Sequence, residues 1–351
     1  MRSPSTGEVE DPYSALFHPG RSGRKPIGAP PVGGLRMSRN FSHEPVMSAE
    51  IVELFRPVPP GVIADATVGG GGHAAALLRA HPHLTVVGLD RDPDAVTAAR
   101  ERLAPFGSRA RVVHARFDQL RAVVGAAVSG VLFDLGVSSP QLDRTERGFS
   151  YHGDAPLDMR MDPTEPTTAA DVVNTLPEVE LTRIIADSGE GRFARRIARA
   201  IVAARPIQTT GRLADVVRNA IPAAARRTGG HPARRVFQAV RIEVNRELTL
   251  LPGAIDDAVD LLVPHGRLVV LAYHSGEDRI VKSRLAYAAT GGCVCPPGLP
   301  CACGAVPVVR LLNRGARKPS AAEAVSNRRA ESARLRAAEK LSAPTTSGLE
   351  P

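Results

Sequence analysis

Short apolar runs alternate with helical patterns from Phe41 to about residue 135. Runs rich in Val, Ile and Leu that are bounded by turn residues predict buried strands, and longer amphipathic stretches predict helices. The predicted strands cover 61–65, 84–90, 111–115 and 130–135. The predicted helices cover 46–55, 73–80 and 93–103. Strands that alternate with helices favour an open parallel α/β sheet.

This alternation stops after Pro140. Residues 141–230 contain no convincing strand but do contain helical patterns, for example the recurrence of Phe193, Ile197 and Ile201 at intervals of four. Strand character returns at 266–273 and, more weakly, at 306–312. We therefore expect a helical domain inserted into a sheet domain. The predicted boundaries are 41–140 and 231–337 for the sheet domain and 141–230 for the insert.

The two ends of the chain differ in composition from the middle. Residues 1–40 contain six prolines, six glycines and no hydrophobic periodicity, so we expect them to be disordered. Met37 precedes the first patterned residues and is a candidate start of translation. Residues 338–351 are predicted to form a flexible tail.

Overall composition excludes several protein classes. Hydrophobic residues make up 43% of the 351 residues and charged residues 23%, as in ordinary globular proteins. No apolar run approaches the roughly 18 residues of a membrane span, which argues against an integral membrane protein. Four cysteines within 11 residues cannot frame a secreted disulfide fold, and the N-terminal region lacks the pattern of a secretory signal. We therefore expect a cytoplasmic protein.

Charge is concentrated in the predicted insert. The formal net charge is +9, and residues 183–246 hold 14 arginines against 4 acidic residues. A basic block inside a folded region indicates a polyanionic partner such as nucleic acid, although arginines on a solvated helical face remain an alternative. The candidate phosphate contacts are Arg195, Arg196, Arg199, Arg234, Arg235 and Arg241.

A glycine-rich loop follows the first predicted strand. Gly69, Gly71 and Ala74 fit the G-x-G-x-x-G/A dinucleotide fingerprint, which by itself is a weak signal. Asp65 precedes the loop, and its carboxylate disfavours a pyrophosphate but suits a ligand with an ammonium group. Asp90 ends the second strand, where two carboxylate oxygens can accept both hydroxyls of a ribose. These features favour S-adenosylmethionine over NAD, with simple turn and helix capping by both acids as a third interpretation.

Three further segments follow predicted strands. Phe117 is placed either to stack on an adenine or to pack in the core. Asp134 is the acid best placed for the substrate, because the carboxyl ends of parallel strands line the ligand crevice. His274 and Ser275 follow the late strand and are either catalytic or part of a structural turn. No G-x-S-x-G surrounds Ser275, which argues against a serine hydrolase.

All cysteines lie in one cluster, with the pattern C-x-C-x5-C-x-C. Cys293, Cys295, Cys301 and Cys303 are close enough in sequence to bind one structural zinc ion tetrahedrally. The spacing differs from the common C-x2-C pair, so a loop with reduced thiols is the alternative.

Several long strings resemble the RsmH (MraW) family of 16S ribosomal RNA cytosine-N4 methyltransferases, over about 41–335. These strings are FSHEPV at 41–46, DATVGGGGH at 65–73, LDRD at 89–92, DLGVSSPQLD at 134–143, ERGFS at 146–150, PLDMRMD at 156–162, GRFARRIARAI at 191–201, FQAVRI at 237–242 and HSGEDR at 274–279.

The resemblance implies more than the residues alone. It implies a class I (Rossmann-like) S-adenosylmethionine-dependent methyltransferase with an inserted helical domain, and a decoding-centre cytidine of 16S ribosomal RNA, or the small ribosomal subunit, as substrate. The implied cofactor contacts are Gly71, Gly72, His73, Asp90, Phe117, Asp134 and Gln141. Two positions depart from the family pattern, Gly276 and Arg328.

Two other functions compete with this one. An NAD-dependent oxidoreductase would use the same glycine loop, but Asp65 and the basic insert argue against it. A non-catalytic RNA-binding module would explain the arginines but would not need an intact cofactor crevice. The sequence leaves the oligomeric state open.

Overall fold

The computed structural model describes residues 45–138, 141, 144–226, 231, 233–296, 301–327 and 329–342. The extension predicted to be disordered, Met37 as a start, the last nine residues of the predicted tail and Arg328 lie outside these ranges.

A seven-stranded sheet forms the centre of the protein, in the order β3-β2-β1-β4-β5-β7-β6. Pairing is parallel from β3 to β5 and antiparallel between β7 and both of its neighbours. The strands are β1 (Gly61–Asp65), β2 (Leu84–Asp90), β3 (Ala110–His114), β4 (Val128–Asp134), β5 (Leu262–Ala272), β6 (Val309–Leu311) and β7 (Arg334–Lys340). With the helical insert that follows β4, this confirms the predicted class I (Rossmann-like) α/β fold.

Helices cover both faces of the sheet and form the insert. Those of the sheet domain are α1 (Ser48–Phe55), α2 (Gly72–Ala80), α3 (Pro93–Leu103), α4 (Leu120–Val124), α11 (Glu247–Leu261), α12 (Ser275–Thr290) and α13 (Ala321–Ser326). Those of the insert are α5 (Ala169–Thr175), α6 (Glu178–Ile185), α7 (Ala194–Ala203), α8 (Thr210–Ala220), α9 (Ala223–Arg226) and α10 (Ala233–Asn245). Asp92 caps α3, because its carboxylate accepts a hydrogen bond from the Asp94 N–H.

The insert has its own hydrophobic core, which runs from Phe149 to Val244. Ile197 and Ile201 of α7 are completely buried in it, and Phe193 packs against it. Phe237 and Val240 of α10 also belong to this core, so the insert extends past the predicted boundary at residue 230. The buried residues of α10 have helical spacing and lie in this core, so the helix belongs with the insert.

The C-terminal part of the sheet also differs from the prediction. β7 continues to Lys340, whereas the sequence places the start of a flexible tail at residue 338. In its antiparallel pairing with β5, Glu339 of β7 lies opposite Arg267, and Arg334 lies opposite Ala272. In the part of the chain that the structure describes, no helix combines the length and apolar character needed to cross a membrane.

Candidate active site

Three neighbouring strands each end in an aspartate: Asp65 ends β1, Asp90 ends β2 and Asp134 ends β4. Backbone hydrogen bonds continue past the ends of these strands, since Ala66 N–H donates to the Leu132 carbonyl. The chain therefore holds the three carboxyl groups at one edge of the sheet, where open α/β sheets bind their ligands.

The glycine loop turns the chain from β1 into α2. Gly71 has φ +76° at the N-cap of α2, a left-handed conformation that L side chains rarely adopt. A Cβ there would lie 3.3 Å from Ala99 Cα, so α3 also restricts this position to glycine. Gly72 begins α2, and the N–H groups of a helix start favour polar and anionic ligand groups. The predicted contacts Gly71 and Gly72 thus lie at the start of the helix that faces the aspartates.

Asp65 is an almost fully buried acid with little hydrogen bonding. Its side chain is 1% exposed, and the Thr67 N–H donates to Oδ1 over 3.3 Å. Burial raises the pKa of Asp65 to about 7, while nearby His73 acts in the opposite direction. A cation placed beside this carboxyl group would relieve the cost of its burial, so the residue suits the ammonium group of an amino acid ligand.

Asp90 accepts two backbone hydrogen bonds. Gly69 N–H donates to Oδ2 over 2.8 Å and Asp92 N–H donates to Oδ1 over 2.9 Å, which fixes the carboxylate against the glycine loop. Desolvation outweighs these bonds and raises the pKa of Asp90 to about 6. Each oxygen keeps a further lone pair that can accept a ribose hydroxyl.

Asp134 lies between a histidine and a tyrosine. Tyr273 donates its hydroxyl hydrogen to Asp134 Oδ1 over 2.6 Å, and His73 Nε2 lies 3.5 Å from Oδ2. Burial and the neighbouring carboxylate raise the pKa of Tyr273 well above its ordinary value, so it remains a hydrogen-bond donor. Both ring nitrogens of His73 are buried without a hydrogen-bond partner in the described structure. Since buried polar groups normally have partners, His73 fits a site that a polar ligand completes.

Gln141 and Phe117, two further predicted cofactor contacts, have different surroundings. Gln141 Nε2 donates to Asp92 Oδ2 over 2.8 Å, and its Oε1 accepts from Ser138 N–H over 2.9 Å. Gln141 therefore joins the segment after β4 to the cap of α3. Phe117 follows β3 and packs edge-on against Phe133, with ring centroids 6.1 Å apart, and it keeps part of its surface exposed.

His274 caps the start of α12. Its Nδ1 accepts from the N–H groups of Gly276 and Glu277 at the start of α12. Glu277 is 2% exposed and accepts from the backbone N–H groups of Tyr273 and His274. Ser275 is the exposed first residue of α12. This reciprocal capping accounts for the local fold of the segment, and the catalytic role of His274 and Ser275 stays a prediction.

Five of the six predicted phosphate contacts are exposed arginines of the insert. These are Arg195, Arg196, Arg199, Arg234 and Arg235. Arg235 forms a 3.0 Å ion pair with Glu190. Arg241 is different, because its guanidinium makes two hydrogen bonds, of 2.8 and 2.9 Å, to the largely buried Glu247. The structure therefore argues against Arg241 as a phosphate contact.

Sequence reasoning overlooked Tyr273 and the partners of Asp92. The hydrophobic pattern predicts Tyr273 only as the end of a strand, and the one signal of a further role is that its aromatic hydroxyl directly precedes the HSGEDR string. Arg147 Nη2 lies 3.2 Å from Asp92 Oδ2, across the junction between the sheet and the insert. Nothing local in the sequence indicates that pair, because 55 residues separate its members.

Comparisons with known proteins identify the family of the chain. A sequence profile of the MraW methylase family matches residues 40–341. The chain is 56% identical over 314 residues to ribosomal RNA small subunit methyltransferase H of Thermobifida fusca, covering 86% of this chain and 94% of that one. It is 54% identical over 310 residues to the protein of that name from Saccharopolyspora erythraea, covering 85% and 93%.

Solved structures give a more distant likeness. An rRNA methylase from Streptococcus thermophilus is 12% identical with a TM-score of 0.39, covering 84% of this chain and 95% of that chain. The N-methyltransferase NodS from Bradyrhizobium japonicum is 11% identical with a TM-score of 0.37, covering 84% and 94%. The extent of the profile match and the identity of the sequence relatives establish both the family and the predicted enzyme class, a methyltransferase: this chain belongs to the MraW methylase family.

Proposed function

We propose that this enzyme transfers a methyl group from S-adenosylmethionine to the exocyclic N4 of a cytidine in 16S ribosomal RNA. The observation that carries the proposal is the arrangement of Asp65, Asp90 and Asp134 on adjacent strand ends around the glycine loop. The names of the relatives support small-subunit ribosomal RNA as the substrate. The family resemblance of the sequence motifs supports cytidine N4 at the decoding centre.

Two carboxylates bind and orient the cofactor in this proposal. Asp65 faces its ammonium group, and this contact favours the ionised form of a carboxyl group whose pKa burial raises to about 7. Asp90 accepts the ribose hydroxyls with the lone pairs that its backbone bonds leave free. Phe117 offers an apolar surface to the adenine. These contacts disfavour the NAD alternative, because the pyrophosphate of NAD would approach the carboxyl group of Asp65.

The chemistry requires in-line approach of N4 to a methyl carbon. When bound, S-adenosylmethionine would supply that carbon on a sulfonium, with the neutral sulfur as the leaving group. Cytosine N4 is a poor nucleophile because its lone pair is conjugated with the ring. Asp134 accepts a hydrogen bond from the amino group, which favours rehybridisation of N4, and then takes the proton that the methylated nitrogen loses. Well-oriented reactants alone can contribute about 7–11 kcal/mol.

Tyr273 positions Asp134 for this role. The Tyr273 hydroxyl occupies Oδ1, which leaves Oδ2, near His73, for the substrate amino group. The side chain of Asp134 is 29% exposed, so a base can reach it from the crevice. The target base must leave its stack to do so, at a cost of a few kcal/mol. The exposed arginines of the insert then bind the RNA backbone.

The test is to map the methylated nucleotide. Small ribosomal subunits and naked 16S RNA from a strain that lacks the enzyme are incubated with the protein and isotopically labelled S-adenosylmethionine, and the RNA is analysed by nuclease digestion and mass spectrometry. The proposal predicts one labelled cytidine whose N4 carries the methyl group, in at least one of the two substrates. A label on another atom or base in both substrates, or no label in either, would contradict it.

A further inference from the structure

The loop between α12 and β6 brings together all four cysteines of the chain. Their sulfur atoms all lie within 4.8 Å of one another. Cys301 Sγ is 3.5 Å from Cys293 Sγ and 3.4 Å from Cys303 Sγ, and the Cys293 and Cys303 sulfurs are 3.7 Å apart. A disulfide bond is about 2.05 Å long, so these four residues are free thiols that converge on one point.

These separations match a tetrahedral metal site. Four sulfurs at about 2.3 Å from a central zinc ion are about 3.8 Å apart. Residues 291–308 contain no Asp, Glu or His, so sulfur is the only side-chain ligand that the loop offers. We propose that Cys293, Cys295, Cys301 and Cys303 bind one zinc ion in a closed, structural four-thiolate site.

The backbone of the loop supports this arrangement. Ala302 N–H points at Cys295 Sγ over 3.4 Å, and such a bond stabilises a thiolate ligand. Gly291 ends α12 with φ +62°, and a Cβ there would lie 2.4 Å from the Val306 carbonyl oxygen. The two ends of the loop therefore pass each other in close contact. Val308 N–H also donates to the Ala288 carbonyl over 2.9 Å, which fixes the end of the loop to α12.

The position of the loop indicates what the metal does. It leads directly into β6, the edge strand of the sheet, which among the described strands pairs with β7 alone. Strand β4, which carries Asp134, is separated from β6 by β5 and β7. A metal that closes this loop would stabilise the three-residue edge strand and leave the crevice unchanged. We therefore expect it to contribute to stability and not to methyl transfer.

The first test uses the full chain, purified under reducing conditions without an affinity tag that binds metal. Elemental mass spectrometry is expected to find about one zinc per chain. A thiol reagent is expected to react with the cysteines only after a strong zinc chelator is added. Chelation is expected to lower the melting temperature by at least about 3 °C, and added Zn²⁺ to restore it. Four thiols that react at once, a disulfide found by mass spectrometry, or iron in place of zinc would overturn the proposal.

Matched variants sharpen the result. Cys293→Ser with Cys303→Ser is expected to lose the zinc and the response of the melting temperature to chelator. Val294→Ser is the control, because that side chain lies between two of the cysteines and is 86% exposed. It is expected to keep one zinc. Equal zinc content in the double variant and the wild type would contradict the proposed zinc site. If the double variant does not fold, the chelation experiment on the wild type tests the proposal.

Discussion

The crevice and the outer surface of the insert use charge in opposite ways. In the crevice, Asp65, Asp90 and Asp134 are held by β-strands and a glycine loop, and two of them have pKa values raised by burial. On the insert, Arg195 and Arg199 are 78% and 64% exposed and approach Glu178 only to 4.0 and 3.7 Å. The crevice holds its carboxyl groups in fixed positions that suit a small ligand, whereas the insert exposes charges that suit a large polyanion.

Single substitutions are therefore expected to have larger effects in the crevice than on the insert. A buried carboxylate that is positioned by the backbone has no substitute nearby, so its removal changes binding or chemistry strongly. An exposed arginine attracts RNA together with the other positive charges of the surface. RNA affinity is therefore expected to change strongly only when several arginines change, and by an amount that depends on the salt concentration.

Removal of the proposed proton acceptor is expected to have the largest effect. Asp134→Ala should lower kcat by about 10³-fold, because general acid–base groups contribute about 10²–10⁴-fold. Single-turnover methyl transfer to ribosomal RNA measures this, with cofactor affinity measured in parallel. Asp215→Ala, an exposed acid of the insert, is the control and should keep full activity. If turnover survived while cofactor binding weakened, Asp134 would be a cofactor contact and not the acceptor.

Charge reversal on the insert is expected to have the second-largest effect. Changing Arg195, Arg196 and Arg199 together to Glu should weaken RNA binding by about 100-fold at 0.1 M salt and lower the salt slope by about 2, at roughly 0.7 per phosphate contact. Filter binding over a salt series measures both quantities.

The control for this prediction reverses three exposed arginines of the sheet domain, Arg56, Arg121 and Arg310. The two triple variants have the same net charge. If the salt dependence of RNA binding had the same slope in both variants, α7 would not be part of the RNA-binding surface.

Asp65 links cofactor binding to pH. Asp65→Asn should weaken binding of S-adenosylmethionine by about 30-fold at pH 8, because it removes a desolvated charge pair. Wild-type affinity should rise between pH 6 and pH 8, as a carboxyl group with a pKa of about 7 ionises, and the variant should lack this rise. Calorimetric titrations at several pH values measure it, and an identical pH dependence in both proteins would contradict the role of Asp65.

In the enzyme without cofactor, the ionised side chain of Asp65 is expected to lower the stability of the fold. Its folded pKa lies above the ordinary value of 3.8, so the folded state holds its proton more tightly than the unfolded state. This contribution to the free energy of unfolding is present at low pH and is lost as pH rises towards 7. Without ligand at pH 8, Asp65→Asn should therefore melt at a higher temperature than the wild type. A lower melting temperature would indicate that Asp65 stabilises the free fold.

Loss of the Tyr273 hydroxyl should have the smallest effect. Tyr273→Phe keeps the ring and removes the hydrogen bond to Asp134, so we expect kcat to fall about 10-fold with little change in cofactor affinity. Tyr287→Phe, an exposed tyrosine on α12, is the control. Because the hydroxyl orients the carboxylate, the pH profile of kcat should also shift. If both kcat and its pH profile were unchanged, Tyr273 would contribute only packing.

Local sequence signals predict the positions of the glycine loop and of the three aspartates, because each depends on residues that are close in sequence. The strand–glycine loop–helix unit and the aspartates at strand ends need only the periodicity of a few residues and the rule that parallel strands meet at one edge. The bounds of β1, β2 and α3 agree with the structure for this reason.

Long-range features could not be predicted in the same way. β7 consists of Arg, Leu, Ala, Glu and Lys, which favour a helix, yet it forms a strand because its backbone completes the pairing with β5. Arg241 is indistinguishable in sequence from its neighbours, and only the fold reveals its buried pair with Glu247. Likewise, the spacing around His274 permits both catalysis and capping, and the hydrogen bonds at the start of α12 favour capping.

Calorimetry on the wild-type protein at pH 8 tests the central assignment most directly, with S-adenosylmethionine, S-adenosylhomocysteine and NAD titrated separately. We predict binding of one equivalent of S-adenosylmethionine and one of S-adenosylhomocysteine, and no binding of NAD at the same concentrations. Binding of NAD in preference to the two sulfur compounds, or of none of the three, would contradict the assignment of this crevice to a methyl donor.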